Sequence, residues 1–425
     1  MLGRGSPGAP PRTPPAPLSP YHRRLFFFLS VASFFEGYDF LALSQVLPNL
    51  RAALQLDEAT GGRIVSLIGI GTVLAYVIVR QADRWGRRRV LMLTILGYAT
   101  FTFLTGFSRG VYSFTLFQLA ARIFLIAQWA LCMVLAAEEF PAERRGLAIG
   151  VVQGASVLGS VVCAAVAPFL LHTVYGWRTL YFVGVAPLLL VAYGMRAIRE
   201  SERFVLHVTG QHPIPQAVPP PRRLTDILHS PYRRRVLQLA VIWALTYMCT
   251  QTAIVFWKEF AVNERGFSDA QVGTIVTIAA VLSLPPAFAA GKLLDVIGRR
   301  PSAVVIYLLT AAGTLLGYQA HSYWLLTAAM TVAIFGGVAL LTLLNAFTTE
   351  LFPTDRRADA FAWSNNLLGR IGYVIAPAFV GAAAEVIGWG NAVSLTAIFP
   401  LVALVLVLWL LPETKQRELE ETAAL

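Results

Sequence analysis

Twelve apolar stretches of about 20 residues, separated by short polar links, run from Leu25 to Leu411, and no other feature constrains this chain as strongly. They span roughly 25–47, 61–80, 89–106, 111–136, 147–171, 179–197, 236–257, 270–290, 302–318, 323–348, 358–382 and 391–411. At about 1.5 Å per residue, a helix of about 20 residues crosses about 30 Å of hydrocarbon. Inside lipid each segment must satisfy its own backbone groups, so helices are predicted throughout. Pro168, Pro187, Pro285, Pro286 and Pro377 fall inside these stretches, as membrane helices tolerate and soluble ones do not. Composition agrees: 56% of residues are hydrophobic and 13% are charged, about half the charge of a solvated domain. A cytosolic enzyme is excluded.

The 31 Arg and 3 Lys set the expected orientation. With both termini cytoplasmic, the inner segments hold 26 of them and the outer links hold 6. That bias follows the positive-inside rule and places a multi-pass protein in the cytoplasmic membrane. The net charge of +11 forms no continuous basic face, so no nucleic-acid partner is expected. Cys132, Cys163 and Cys249 all lie in apolar runs, with neither disulfide nor metal-ligand spacing. Seven prolines mark residues 1–24 as a disordered tail. No G-x-x-x-x-G-K-[ST] phosphate loop is present, which removes support for an ATP-driven pump.

The two halves repeat at an offset of 212 residues. Asp57 matches Asp269, Gly61 matches Gly273, Asp83 matches Asp295, and Gly86-Arg87-Arg88 matches Gly298-Arg299-Arg300. Glu138-x-Phe140-Pro141 matches Glu350-x-Phe352-Pro353, Arg144-Arg145 matches Arg356-Arg357, and Gly176-Trp177 matches Gly388-Trp389. The expected fold is therefore all-α, with six-helix bundles at 25–197 and 236–411, a linker at 198–235 and a tail at 412–425. A parallel duplication of this kind places a site between the bundles near the midplane and alternates access to it.

Asp83-Arg84-x-Gly86-Arg87-Arg88, and Gly291-x-x-x-Asp295-x-x-Gly298-Arg299-Arg300 as its fuller second copy, resemble the signature loop of the major facilitator superfamily. Val79 stands where the family usually has Gly. Glu138-x-x-Pro141-x-x-Arg144-Arg145-Gly146, Glu350-x-x-Pro353-x-x-Arg356-Arg357, Glu200-Ser201-x-Arg203-Phe204 and Pro412-Glu413-Thr414-Lys415 are similar to elements of its sugar-porter and organic-acid/proton-symporter branch. The resemblance implies a conformational latch built from Asp83, Arg84, Gly86, Arg87, Arg88, Glu138, Arg144 and Arg145, with Gly291, Asp295, Gly298, Arg299, Arg300, Glu350, Arg356 and Arg357 as its second copy. Arg87 is then expected beside Glu138 and Arg299 beside Glu350. The bland alternative is a pair of solvated hairpins that obey the positive-inside rule.

Ionisable residues inside a span cost about 2.5–3.5 kcal/mol each on insertion scales, so each is a functional candidate. Glu36 and Asp39 lie one helical turn apart on one face of the first span. Counting from Phe26 puts Asp39 about 20 Å deep. Arg122 lies about 15 Å from the outer end of the fourth span and Arg370 about 18 Å from the inner end of the eleventh. Glu36-Gly37-Tyr38-Asp39 and Gly369-Arg370-Ile371-Gly372 also resemble motifs of aromatic-acid/proton symporters, although Arg122 is followed by bulky Ile126, Gln128 and Trp129 where those relatives are glycine-rich.

Desolvation raises a carboxylate's pKa and a nearby arginine lowers it, which suits Asp39, helped by Glu36, to proton coupling. Arg122 and Arg370 are candidates to hold an anion by bidentate hydrogen bonds. Gln128, Gln153, Gln251, Asn345, Asn365, Asn366, Tyr38, Trp129, Trp243 and Tyr373 are candidate cavity residues. The alternative for Asp39 is a fixed ion pair with one arginine.

The expectation is a transporter of a small-molecule substrate in the lipid bilayer, with no cofactor beyond a coupling proton and with a monomer sufficient. Proton symport of an organic acid is weighed against drug or metabolite antiport, sugar or zwitterion transport, and a non-transporting sensor.

Overall fold

The computed structural model describes residues 19–200, 224–353 and 356–415. The proline-rich residues 1–18, most of the linker including Ser201, Arg203 and Phe204, and residues 416–425 lie outside that description, as do the side chains of Asp83 and Arg145. The described residues are helical. The first half comprises α1 (Pro20–Leu54), α2 (Glu58–Trp85), α3 (Arg87–Thr105), α4 (Val111–Glu139), α5 (Ala142–Leu171), α6 (Arg178–Phe182) and α7 (Pro187–Ala197). The second comprises α8 (Arg233–Val255), α9 (Trp257–Asn263), α10 (Asp269–Ile297), α11 (Arg299–Gln319), α12 (Tyr323–Glu350), α13 (Arg357–Phe361), α14 (Ile371–Leu395) and α15 (Ile398–Leu410). Ten runs among the described residues are long and apolar enough to cross a membrane. Two features separate that number from the expected twelve. The 19-residue α3 is not among the ten, and residues 357–410 form one run of 54 residues, although the backbone leaves helical geometry at Gly388.

Local chemistry sets the helix ends. The first helix starts at Pro20, inside the segment assigned to the tail, because Ser19 caps it by accepting from the His22 amide and Pro20 takes a first-turn position. Asp57 caps α2 and Ser268 caps α10. The sharp turns from α2 to α3 and from α10 to α11 each rest on one glycine, Gly86 at φ 96° and Gly298 at φ 101°. These two positions are 212 apart, as are Gly176 and Gly388, which also hold positive φ. The sequence repeat is thus written into the backbone. Large apolar side chains such as Phe169, Leu189, Val386 and Trp409 point outward, as lipid solvation requires.

Glycine also sets how closely helices approach. Gly37 of α1 and Gly159 of α5 leave no room for a side chain at their crossing, each facing the other helix's backbone. Between the halves, α2 crosses α14 at Gly62 and Gly381 in the same way, and Ser66 donates to the Val374 carbonyl. Gly273 of α10 packs on Ala164 and Pro168 of α5. Toward the end that carries the linker, a Cβ added at Gly146, Gly150 or Gly154 on one face of α5, or at Gly291 of α10, would meet nothing within 4 Å among the described residues. The halves therefore touch at the far end and part toward the linker end.

Candidate functional site

The carboxylates of α1 sit beside its close crossing with α5 at Gly37. Glu36 and Asp39 are both buried, on the face that meets α5 and α3. Ser156 of α5 donates to the Glu36 carboxylate at 2.6 Å, and Thr102 of α3 donates to Asp39 at 2.8 Å. Ser160 fixes the intervening turn by donating to the Gly37 carbonyl at 2.8 Å. Arg122 of α4 is buried within electrostatic range of both carboxylates and stands over the Phe40 ring at 4.9 Å. It makes no ion pair within 4 Å among the described residues. Asp39 therefore takes a hydroxyl partner in place of a direct arginine pair.

The opposite wall comes from the second half. Before Arg370 the chain forms a π-helical stretch, Ala362–Gly369, a geometry that recurs at functional sites. Arg370 donates to the Thr72 carbonyl of α2 at 3.2 Å, which ties it across the halves, and its Nε has no hydrogen-bond partner among the described residues. Trp243, Tyr247 and Tyr373 form an aromatic wall beside it, with centroid separations of 5.3 and 4.6 Å. Tyr247 donates to Asn365 at 2.8 Å and Trp243 to Thr348 at 3.2 Å. Tyr373 lies within electrostatic range of Arg370 and Arg122, one arginine from each half.

The remaining candidates are dispersed. Gln128 is fully buried, donates to the Cys132 sulfur at 3.3 Å and has no hydrogen bond to its Oε1 among the described residues. Tyr38 donates to the Leu180 carbonyl at 3.4 Å. Gln251, Asn366 and Trp129 are half-buried, whereas Gln153 and Asn345 are exposed.

At the linker end, the Arg87 guanidinium lies 3.4 Å from the Glu138 carboxylate, and Arg299 grips Glu350 with two hydrogen bonds of 2.7 and 3.2 Å. Arg84 is exposed, and Asp295 is mostly exposed while paired with Arg299 at 3.3 Å. Arg144, Arg356 and Arg357 are half-buried, and Arg357 donates to the Phe352 carbonyl at 3.4 Å. Glu200 accepts from the Arg88 amide at 3.0 Å, and Glu413 accepts from the Arg299 and Arg300 amides at 2.8 Å each. Burial pushes the Glu413 carboxyl up, but the amides of Arg299, Arg300, Lys415 and Thr414 outweigh it and hold the group below the ordinary carboxylate range. Each of these contacts joins residues of one half.

The far end carries an ion network that hydropathy and residue spacing do not mark. Arg51 of α1 bonds Glu259 of α9 at 2.7 Å and Glu58 of α2 at 2.6 Å. Lys258 of α9 donates to the Gln45 carbonyl at 2.6 Å and to Asn49 at 3.1 Å, and pairs with Asp269 at 2.8 Å. Ser44 adds bonds to the Ile254 and Val255 carbonyls at 2.9 and 3.1 Å. Arg51, Lys258 and Glu259 are all buried, and the network joins the two halves.

Known proteins share this plan over nearly the whole chain. The "Probable 4-methylmuconolactone transporter" of Cupriavidus pinatubonensis is 26% identical over 406 residues, covering 93% of this chain and 92% of that protein. The 4-hydroxybenzoate transporter PcaK of Pseudomonas aeruginosa is 25% identical over 413 residues, covering 90% of each. The solved inward-open xylose transporter XylE of E. coli superposes with a TM-score of 0.71 at 19% identity, covering 94% of this chain and 98% of that one. These relatives are membrane transporters and not enzymes. The family description Major Facilitator Superfamily matches residues 29–260 and again 239–424, and to that family this multi-pass membrane protein belongs.

Proposed function

We propose that this protein is a proton-coupled symporter of a small aromatic or other organic acid, working by alternating access between two six-helix bundles. The observation that carries the reading is the buried set of Glu36, Asp39 and Arg122 in one half, facing Arg370 and its aromatic wall in the other. Two carboxylates and two arginines leave this centre without net formal charge. A desolvated centre tolerates unbalanced charge poorly. An entering monoanion therefore brings one proton with it, and the balance is kept. Asp39 takes that proton, since its hydroxyl partner Thr102 can turn to accept as readily as it donates. Arg370 and Arg122 hold the carboxylate, and Tyr247, Tyr373 and Trp243 face an aromatic ring. The substrates for which those relatives are named, 4-hydroxybenzoate and 4-methylmuconolactone, support this class.

In this reading the chain crosses the bilayer twelve times, with α3 as one crossing and the run 357–410 divided at Gly388 into two. A helix of 54 residues would be about 80 Å long, more than two bilayer cores. The basic linker end faces the cytoplasm of a cell whose cytoplasmic membrane holds the protein. The structure's closed far end then corresponds to a state open to the cytoplasm. The contacts of Arg87, Glu138, Arg299 and Glu350 brace the inner ends of each bundle as it rocks.

Purified protein in liposomes loaded with a pH-sensitive dye tests the reading. Externally added 4-hydroxybenzoate is expected to acidify the lumen, and Asp39→Asn to abolish the signal while binding persists. Equal signals from both proteins would remove Asp39 from coupling. Acidification driven by substrate leaving the lumen would turn the assignment to antiport.

A further inference from the structure

The groove between α8 and α15 at the linker end faces away from the central site. It is an open groove of about 490 Å³. Arg233 and Arg234 form its mouth, and Leu237 and Val241 of α8 with Leu406 and Leu410 of α15 form its walls. The spacing explains the shape: residues 233, 237 and 241 fall on one stripe of α8, and 406 and 410 on one stripe of α15. Neighbouring Arg235 turns the other way and donates to the Leu351 carbonyl at 3.2 Å. Arg233 and Arg234 are exposed and have no ion-pair partner among the described residues. Both sit in the first turn of α8, where the helix dipole already carries positive charge and no acidic residue offsets it.

The other half supplies an internal control. At the repeat offset of 212, Arg233 and Arg234 correspond to Tyr21 and His22. Both are engaged: His22 contacts the Glu139 carbonyl at 3.0 Å, and Arg199 lies over the Tyr21 ring at 5.7 Å. Leu237 and Val241, 44% and 51% exposed, correspond to Leu25 and Leu29, which are fully buried. Leu406 corresponds to Gly194, where Phe28 and Met92 fill the space that a side chain would take. Among the described residues, the fold thus closes this groove in one half and leaves it open in the other, with two guanidinium groups that make no ion pair.

We propose that the α8–α15 groove binds an anionic glycerophospholipid of the leaflet at the linker end, its phosphate on Arg233 and Arg234 and its acyl chain along the apolar walls. Charge complementarity selects an anion, and four aliphatic side chains opening to the bilayer select a lipid over a free phosphate. Trp409, 80% exposed on α15, lies at the same end, where tryptophan anchors a helix at the headgroup level. The acidic lipid would neutralise the first turn of α8 and brace α8 against α15.

Native mass spectrometry of the full-length protein in detergent tests this, with phosphatidylglycerol and phosphatidylcholine added in turn. The wild type is expected to retain phosphatidylglycerol at least fivefold over phosphatidylcholine. R233Q/R234Q is expected to lose that preference, and so is L237W, which fills the groove and keeps both arginines. All three proteins are compared at matched monodispersity and Tm. Equal retention of the two lipids by the wild type, or undiminished phosphatidylglycerol retention by R233Q/R234Q, overturns the proposal. Retention by L237W but not by R233Q/R234Q also overturns it, since charge without a groove describes a soluble anion.

Discussion

The two ends of the molecule use the same residue types to opposite effect. At the far end, Arg51, Lys258, Glu259 and Asp269 join one half to the other through α1, α9 and α10. At the linker end, the pairs Arg87–Glu138 and Arg299–Glu350 each lie inside one half, with Glu200 and Glu413 capping α3 and α11. One set of charges must separate for the far end to open. In the proposed alternating-access cycle the other set would move with its own bundle. An arginine–carboxylate pair in such a fold is therefore a gate or a brace according to whether its partners share a half.

Substitutions at the two ends separate these roles. Ser44→Cys supplies a reporter: Ser44 is buried at the far end and bonded across the halves, and the three native cysteines are buried. The largest effect is expected from Arg51→Gln, which strands Glu58 and Glu259 and removes about 3–5 kcal/mol from the closed far end. Labelling of the reporter by a membrane-impermeant maleimide should rise at least tenfold; an unchanged rate would show that the network holds nothing shut. Arg299→Gln removes a bidentate contact worth about 1.5–3 kcal/mol. It should lower the Tm and leave the labelling rate alone, and faster labelling there would erase the distinction between gate and brace.

Gly62→Val attacks the far end by volume instead of charge, overpacking the α2–α14 crossing by about 1–3 kcal/mol. Labelling should rise as it does for Arg51→Gln, only less; a slower rate would mean that the helices close further when crowded. The smallest effect belongs to Glu413→Gln, about 1 kcal/mol for a lost helix cap. The Glu413 carboxyl lies below its ordinary range in the folded chain. Its stabilisation is therefore complete above the ordinary carboxylate range and is lost as pH falls through the folded value. The Tm difference between wild type and Glu413→Gln should shrink in acid, and a constant difference would place the effect elsewhere.

Much of this architecture is legible in the residue order. Hydropathy marks the apolar spans, and the offset of 212 anticipates the paired positive-φ glycines at 86 and 298 and at 176 and 388. The buried charges of the central site stand out because lipid makes them expensive. Their partners do not stand out. Thr102 and Ser156 are ordinary in a membrane helix until α3 and α5 bring them to Asp39 and Glu36. The far-end network is hidden for a similar reason. Arg51 and Lys258 read as solvated link residues, and only the packing of α1 on α9 buries them. Asn345 and Gln153 are exposed, and their polarity within a span does not tell which way such a side chain points.

The π-helical stretch from Ala362 to Gly369 has a mechanical consequence. Each residue of an ordinary α-helix advances the chain by about 100° around its axis. A stretch wound one residue wider per turn changes the phase between the helical segments on its two sides. Arg370 stands at its downstream edge, so the winding of those eight residues sets the compass bearing of the guanidinium. Rewinding them would swing that charge around the helix with little displacement of the helix axis. The winding of that stretch therefore bears on where Arg370 points in the second half, whereas in the first half α1 packs closely on α5 through Gly37 and Gly159.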